Sequence, residues 1–487
     1  MSSSHLLPIP SERVLSTLNA DGSRRWLRPR LSHGRFLKAR RIVAWSLIAI
    51  FTALPFVRIG GRPSILLDIA RRQFTFFGRT FLPTDTVILA VLLLGIVVSV
   101  FLLSAVLGRA WCGWACPQTV YLEFMYRPLE RLFEGHPGRG GTIGHKASGP
   151  RTVAKYLVYL LVSMVLAHTF LSYFVGVASL QQWMTRSPFD HQTSFAVMAM
   201  VTALMFFDFA WFREQTCIVA CPYGRLQSVL LDGNSLIVSY DPTRGEPRQH
   251  AHVSAGSAGS EAQPAQVAGD CVDCKLCVET CPTGIDVRDG LRMECLGCAQ
   301  CIDACDAVMT KLKRPMGLIR YSSQLRIAGE PGRMARPRIF VYSGVLLLIA
   351  GVFTALVSQA KSTDVTLLRG MGVPFTELAG GEVANLVRLK ITNRTHEPRT
   401  YRLQVIQGGP ARILSDHELP VIVQPTASVT RGLVIAVPAS AFSMGKHQVR
   451  LRILDDNQTG IEVNYAMLGP YSVSTPSAPG VVPRASQ

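Results

Sequence analysis

Five long apolar runs divide the chain, and each is bounded by polar or basic segments. They cover residues 42–57, 87–107, 156–177, 195–212 and 339–360. Each approaches the roughly 20 residues that a helix needs to cross the hydrocarbon core of a bilayer. The second run has no charged residue, whereas the fourth contains Asp208. The pattern favours five transmembrane helices over the alternative, buried helices of a soluble protein.

The pattern changes after the fifth run, where apolar and polar residues alternate. Apolar residues occupy every second position in 387–391, 401–405 and 449–453. This period of two is typical of strands that bury one face, and segments with Gly and Pro separate them. The C-terminal part of the chain is therefore predicted to form an Ig-like β-sandwich. It contains no cysteine, so the sandwich has no disulfide.

Composition agrees with a membrane protein. Of the 487 residues, 48% are hydrophobic and only 17% are charged, which is apolar for a soluble chain. The net charge of +18 raises the question of nucleic-acid binding, but no basic module with interleaved aromatic residues supports it. The charge is instead attributed to basic loops beside the membrane, and no nucleic-acid partner is expected.

The basic residues also predict an orientation in the membrane. Lys and Arg are frequent in residues 1–41, 108–155 and 311–338, whereas the loop 178–194 carries only Arg186. Basic loops stay on the cytoplasmic side of a membrane. The N-terminus and the segment before the fifth helix are therefore expected in the cytoplasm, and the C-terminal domain outside it. Arginines in the loop between the first two runs are an exception to this pattern.

Eight of the twelve cysteines form two runs with the same spacing. The spacing C-x2-C-x2-C-x3-C is given by Cys271, Cys274, Cys277 and Cys281, and again by Cys295, Cys298, Cys301 and Cys305. In two-cluster ferredoxins the fourth cysteine of each run binds the other cluster. We therefore assign cluster site 1 to Cys271, Cys274, Cys277 and Cys305, and cluster site 2 to Cys281, Cys295, Cys298 and Cys301. Zinc favours separated C-x2-C pairs, so two 4Fe-4S clusters are the better interpretation.

The other four cysteines form two C-x3-C-P motifs. The first CP motif contains Cys112 and Cys116, at the end of the second run, and the second contains Cys217 and Cys221, at the end of the fourth. Residues four apart share one face of a helix, so each motif can present two thiols together. The motifs form an internal repeat, and pseudo-symmetric packing would bring four thiols together. Thiolates suit Cu(I) or a further iron–sulfur cluster, while simple packing of small residues is the alternative.

Two ionisable residues lie inside predicted transmembrane helices. His168 is in the third run and Asp208 is in the fourth. Ionisable groups in a membrane are candidates for binding a quinol or passing protons. A structural role is an equally good interpretation of a single histidine.

These elements predict a multi-domain membrane protein. It comprises a five-helix transmembrane bundle, an inserted two-cluster ferredoxin-like α+β module and a C-terminal Ig-like β-sandwich. The predicted divisions are a cytoplasmic basic tail (1–41), four transmembrane helices with both CP motifs (42–239), a flexible linker (240–270), the ferredoxin-like module (271–315), a basic connector (316–338), the fifth transmembrane helix (339–360) and a periplasmic Ig-like domain (361–487).

The motifs together resemble a known family. WCGWACPQTVYLE, FFDFAWFREQTCIVACPYGR, the double cysteine run and the β-sandwich are similar to those of the CcoG family of cytochrome c oxidase accessory proteins, also called FixG or RdxA. The related membrane ferredoxins NapH and NosR share the C-x3-C-P helices but lack the C-terminal domain. The resemblance implies a protein of the bacterial inner membrane that supports assembly of the cbb-type oxidase.

The resemblance also implies an activity and partners. These are reduction of Cu(II) to Cu(I), copper chaperones or transporters, and other factors that assemble the oxidase. The chain has no dinucleotide-binding G-x-G-x-x-G between strand and helix, so direct reduction by NADH is not expected and the electron donor stays open. The alternatives are a quinol dehydrogenase in the manner of NapH, and a non-enzymatic redox sensor or assembly scaffold.

Overall fold

The computed structural model describes most of the chain. The described residues are 15–19, 21, 23–70, 73–81, 85–135, 149–248, 269–331, 336–359, 363–395, 397–414, 420–425, 427–456 and 460–471. They fall into two compact units, Met1–Ala355 and Leu356–Gln487. Most of the predicted linker 240–270 and the first part of the basic tail lie outside the described residues.

Helices dominate the first unit. They are α1 (Arg35–Ala53), α2 (Thr86–Leu107), α3 (Ala110–Trp114), α4 (Pro117–Tyr121), α5 (Arg127–Glu134), α6 (Gly149–Val175), α7 (Val177–Met184), α8 (Gln192–Phe207), α9 (Pro222–Leu230), α10 (Pro242–Gly245), α11 (Leu276–Glu279), α12 (Gln300–Lys311), α13 (Gln324–Ile327) and α14 (Pro337–Gln359). Short 3-10 turns occur at Leu54–Phe56, Pro188–His191 and Val287–Asp289, and π-helical turns at Leu122–Tyr126, Asp208–Phe212 and Thr216–Ala220.

The five predicted transmembrane helices are confirmed. Among the described residues, five helical segments are long and apolar enough to cross a membrane: Arg35–Phe56, Thr86–Leu107, Gly149–Val175, Pro188–Phe212 and Pro337–Gln359. The first and third begin seven residues before their apolar runs, because basic residues extend both helices beyond the hydrocarbon. Helix α14 has no buried residue, as expected of a helix that faces lipid.

The loop between α1 and α2 contains short strands. A hairpin pairs β1 (Arg58–Ile59) with β2 (Arg62–Pro63). An antiparallel meander follows, formed by β3 (Ile65–Asp68), β4 (Gln73–Phe76) and β5 (Arg79–Phe81).

The ferredoxin-like module is built around α11, α12 and one strand pair. Strand β6 (Ile237–Tyr240) pairs antiparallel with β7 (Ile319–Ser322), so strands on both sides of residues 271–315 complete the module. Its buried core includes Val238, Tyr240, Ile302, Met309 and Leu318. Gly269 N donates to Pro247 O at 3.1 Å, which brings the two ends of the linker together at this module.

The second unit is the predicted Ig-like sandwich. Its strands are β8 (Thr363–Arg369), β9 (Thr376–Leu378), β10 (Glu382–Asn393), β11 (Arg399–Gln407), β12 (Arg412–Leu414), β13 (Val421–Val423), β14 (Ser428–Pro438), β15 (Lys446–Leu454) and β16 (Gly460–Leu468). One sheet has the order β12-β14-β10-β8 with β9 also on β10, and the other has the order β13-β11-β15-β16. Val387, Leu389 and Ile391 are buried in its core, while Arg388 faces solvent, so the period of two is confirmed.

Candidate iron–sulfur sites and a four-thiol site

The two ferredoxin runs have the same backbone conformation. Asp273 and Lys275 flank Cys274 with φ of 47° and 57°, and Gly297 and Ala299 flank Cys298 with φ of 66° and 60°. Residues in this left-handed region reverse the direction of the chain. Each loop therefore curls around a centre, and its next cysteine lies at the start of α11 or α12.

Cluster site 1 surrounds a cavity. All four cysteines assigned to it line this cavity, together with apolar side chains that include Val308, Met309 and Leu318. Cys305 comes from α12, whereas its three partners come from the first loop. Cys274 is exposed, while Cys271 and Cys277 are buried. The residues fit a cluster with crossed ligation, and the site has one side near solvent.

Cluster site 2 lies deeper in the molecule. Burial raises the pKa of the Cys295 thiol to about 12 and that of Cys298 to about 11. Burial also raises the pKa of Cys301, and the neighbouring Cys298, Cys295 and Cys281 add to the rise. The four thiols are thus close enough to interact electrostatically, as a shared cluster requires. Because iron binds thiolate, loading this site must release protons.

The two CP motifs repeat each other in the backbone. In each motif, the preceding transmembrane helix ends at a residue with positive φ, four positions before the first cysteine of the motif. This residue is Gly108 (φ 58°) before Cys112, and Arg213 (φ 56°) before Cys217. A short helical turn then carries the first cysteine. The second cysteine is the N-cap of the next helix, with proline in its first turn, at Cys116 for α4 and Cys221 for α9.

The thiols of both CP motifs interact. Burial raises the pKa of Cys112, of Cys116 and of Cys217, the last to about 12. The charges of Cys116, Cys112 and Cys221 all act on Cys217, so the internal repeat brings the four thiols into one neighbourhood, the four-thiol site. Cys112 Sγ also lies 3.1 Å from Gln227 Oε1. In the described part of the chain, no group of three or more His, Cys, Asp or Glu side chains already has the geometry of a metal site, so a metal ion would have to draw these thiols together.

The first CP motif packs directly on the loop of cluster site 2. A Cβ atom at Gly113 would lie 2.7 Å from Cys298 Cα and 2.7 Å from Leu296 O. Trp114 Nε1 donates to the Tyr321 hydroxyl at 3.0 Å, and that hydroxyl donates to Gly297 O. Only a residue without a side chain allows this approach. The four-thiol site and cluster site 2 therefore adjoin through backbone contact.

Arg109 lies between the same two sites. Its guanidinium donates to Met293 O, just before Cys295, and its Nη2 would lie 3.0 Å from a Cβ at Gly224 in α9. Burial raises the pKa of Cys112 and of Cys295, and the positive charge of Arg109 opposes both shifts. This arginine thus offsets part of the rise in thiol pKa at both sites. Its position in the sequence did not indicate that role.

The N-terminal segment, the part of the chain that precedes α1, covers the ferredoxin-like module. The sequence did not predict this contact. Asp303, between Cys301 and Cys305, accepts from Phe36 N at 3.1 Å and Leu37 N at 2.7 Å. It therefore caps the first transmembrane helix. Arg30 N donates to Glu279 O at 2.9 Å. The sequence indicated that the arginines of this segment determine the membrane topology. They also form part of the interface between the N-terminal segment and the ferredoxin-like module.

Buried ion pairs hold the membrane part to this interface. Arg213 donates to both carboxylate oxygens of Glu130 at 2.9 Å. Arg127 pairs with Glu214 at 3.3 Å and donates to Pro282 O at 3.2 Å. Burial would raise the pKa of Glu130, yet Arg213 and the neighbouring arginines hold it below its usual range. The Glu130 carboxylate is therefore charged, and its arginine partners compensate its burial.

Replacing Arg213 by methionine should destabilise the protein strongly. The change leaves the Glu130 carboxylate buried without its bidentate partner, which costs about 3–5 kcal/mol. Chemical denaturation of the detergent-solubilised protein measures this loss. Arg452→Met is the control, because Arg452 and Glu462 form an exposed pair worth at most about 1 kcal/mol. Equal stability of both variants would contradict the structural role of the buried pair.

The two ionisable residues of the transmembrane helices have local partners. His168 Nδ1 lies 2.8 Å from Met164 O in its own helix. The Asp208 carboxylate accepts from the Thr216 hydroxyl, one residue before Cys217. Asp208 therefore fixes the turn that carries the second CP motif, whereas the contacts of His168 link it to neither the thiols nor the cluster sites.

Comparisons with known proteins agree with this organisation. Residues 212–324 match the family model of a 4Fe-4S dicluster domain, residues 89–136 match that of a 4Fe-4S binding domain, and residues 353–470 match the IG-like fold at the C-terminus of FixG. The fold and cysteine sites define a membrane-bound iron–sulfur electron-transfer protein.

The relatives identify the family. The chain is 32% identical to the nitrogen fixation protein FixG of Rhizobium meliloti, over 80% of each chain. It is also 32% identical to protein RdxA of Cereibacter sphaeroides, over 85% of this chain and 87% of that one. Protein RdxB of the same organism is 31% identical, over 82% and 85%. The chain belongs to the FixG/RdxA family, as the motifs in its sequence predict.

Proposed function

We propose that this protein reduces Cu(II) to Cu(I) for assembly of a cbb-type cytochrome c oxidase. The observation that carries the proposal is the four-thiol site, which adjoins cluster site 2 at Gly113. Soft thiolate ligands favour Cu(I) over Cu(II), so binding here favours the reduced ion. The substrate and the oxidase come from the CcoG resemblance, and copper chaperones or transporters are the proposed recipients.

The ligand assignment is part of the same proposal. Bound 4Fe-4S clusters supply one-electron carriers, and each copper ion takes one electron from an external donor. Cluster sites 1 and 2 retain the crossed assignment of the eight cysteines. In the four-thiol site, Cys112, Cys116 and Cys217 are protonated before copper arrives, because burial raises each pKa. Binding of Cu(I) therefore releases protons, and its affinity should fall as the pH is lowered.

Replacing Cys116 and Cys221 together by alanine tests the copper site. The double variant should lose Cu(I) affinity and Cu(II) reduction, since one ligand of each CP motif is removed. Its ferredoxin signal in electron paramagnetic resonance should persist, because these residues belong to neither cluster site. Cu(I) competition titration and iron analysis of anaerobically purified protein give the readouts. Unchanged copper binding together with unchanged iron would leave only a packing role for these cysteines.

A third cluster is the second candidate for the four-thiol site. The match of residues 89–136 to a 4Fe-4S binding domain favours it, since this region contains Cys112 and Cys116 but none of the ferredoxin cysteines. A four-iron cube takes four thiolates, the number that both motifs supply. In this case the double variant should contain about four fewer irons per chain, with unchanged copper binding.

The proposed location is the bacterial inner membrane, with the ferredoxin-like module in the cytoplasm and the Ig-like domain in the periplasm. The distribution of Lys and Arg between the loops supports it. A reporter that is active only in the periplasm should work when fused after residue 365 and fail when fused near residue 255. The reverse result would place the cysteines on the oxidising side of the membrane and overturn the orientation.

A further inference from the structure

An open cavity of about 470 Å³ lies where the N-terminal segment, α1 and α5 meet the ferredoxin-like module. Its lining carries four arginines: Arg30, Arg40, Arg41 and Arg131. Glu123 is the carboxylate of the lining, and it already forms an ion pair with the buried Arg127. The cavity has the size of a small-ligand site and an excess of positive charge.

Two buried donors of this cavity lack acceptors. Arg40 is 1% exposed and Gln300 is 5% exposed, and both side chains line the cavity. Arg40 Nε donates to Gly113 O at 2.8 Å. Its Nη2, and Nε2 of Gln300, have no hydrogen-bond partner among the residues that the structure describes. Both atoms are shielded from solvent, so a ligand in the open cavity meets the exposed arginines rather than these two donors.

The arginines of the cavity also crowd one another. Burial lowers the pKa of Arg131; Glu123 and Glu130 oppose this shift, while the charges of Arg127 and Arg41 add to it. A second cation would be repelled here, and a neutral ligand would leave this repulsion in place. Guanidinium groups bind phosphate through paired, charge-assisted hydrogen bonds. The lining therefore selects a phosphate-bearing anion.

The position of the cavity indicates where the phosphate comes from. Arg41 and Trp45 are four residues apart near the start of α1, the first candidate membrane span, and both are exposed. Tryptophan side chains concentrate at the depth of lipid headgroups, and basic pockets beside transmembrane helices bind anionic headgroups. Leu31 and Phe124 supply apolar lining next to the arginines.

We propose that this cavity binds the phosphate headgroup of one anionic phospholipid. Arg41 and Arg131 hold the phosphate, and Trp45 packs beside the glycerol. No cysteine lines the cavity, although Arg40 also contacts Gly113 beside cluster site 2, and the proposal does not depend on copper.

Native mass spectrometry of the delipidated full chain in detergent tests the site. Phosphatidylglycerol should bind at a stoichiometry of one with higher affinity than phosphatidylcholine. Because each interfacial Arg contributes about one kcal/mol, the R41Q/R131Q double variant should bind phosphatidylglycerol roughly 30-fold more weakly. Lys38→Gln is the matched control, since Lys38 is exposed on α1 and is absent from the cavity lining. It should bind phosphatidylglycerol as the native protein does.

Three results would overturn the proposal. They are equal affinity for phosphatidylglycerol and phosphatidylcholine, undiminished binding by the double variant, and complete competition by millimolar inorganic phosphate, which would identify a soluble phosphate as the ligand. Iron content reports whether the double variant is folded. If it is not, the single variant Arg41→Gln replaces it, because the exposed Arg41 side chain leaves the core intact. Its expected loss is roughly fivefold.

Discussion

Gly113→Ala should reduce the rate of the proposed Cu(II) reduction on the order of 100-fold, a loss typical of misplacing reacting groups by about 1 Å. The added Cβ atom would lie 2.7 Å from Cys298 Cα and 2.8 Å from Cys298 N. These are backbone atoms, so no side-chain rotation relieves the clash. The first CP motif must move away from the loop of cluster site 2. Reduction kinetics of the purified protein, with an excess of artificial reductant, measure the effect.

Two other glycines provide the controls for this substitution. Gly344 and Gly351 lie in α14 and have no atom within 4 Å of an added Cβ. Alanine is a better helix former than glycine, so Gly344→Ala and Gly351→Ala should retain activity and stability. Iron content of Gly113→Ala should stay near that of the native protein, which separates loss of contact from loss of clusters. Native reduction rates in Gly113→Ala would show that this contact is dispensable.

Cys298→Ala and Cys274→Ala should have unequal consequences, although both remove one cluster ligand. Each variant should lose about four irons per chain. Cys298 lies against Gly113, and Cys281 of the same site borders Arg25 and Arg28 of the N-terminal segment. Loss of cluster site 2 should therefore release that segment. Cys274 is exposed, so its loss should leave the interface intact.

Limited trypsin digestion distinguishes these two variants. Cleavage after Arg25 and Arg30 should become at least tenfold faster in Cys298→Ala, because opening of the segment then costs at least about 1.4 kcal/mol less. It should stay near the native rate in Cys274→Ala. Rapid cleavage in both variants would mean that the two sites support the interface equally, and the depth assigned to cluster site 2 would be wrong.

Local patterns in the sequence were sufficient for most of the architecture. Five apolar runs predicted the transmembrane helices, and alternation in 387–391 predicted a strand, because burial imposes a period on each element by itself. The cysteine spacing likewise predicted both loops, since two-residue gaps determine how successive sulfurs converge. The repeat of the CP motifs predicted a site that joins distant thiols, and what these thiols bind stays a proposal.

Contacts between distant segments were not predictable in this way. Asp303 caps a helix that begins at Arg35, and no local pattern records which helix end a carboxylate will reach. Strand β6 precedes the linker and pairs with β7 beyond the cysteines, so neither strand is recognisable as part of the module from its own four residues. In the sequence, Arg109 is one more basic residue at the end of a transmembrane helix. Only the folded structure shows that it contacts Met293.

The cap formed by Asp303 sets an order of events during biosynthesis. Asp303 leaves the ribosome 266 residues after Leu37, whose amide it accepts. At roughly 5–20 residues per second, translation of that interval takes about 13 to 53 seconds. The first transmembrane helix is thus inserted while its leading amides are bonded to water. Its final cap arrives only after four membrane helices and the cysteine loops have been made, which makes closure of the N-terminal segment a late, post-insertion step of maturation.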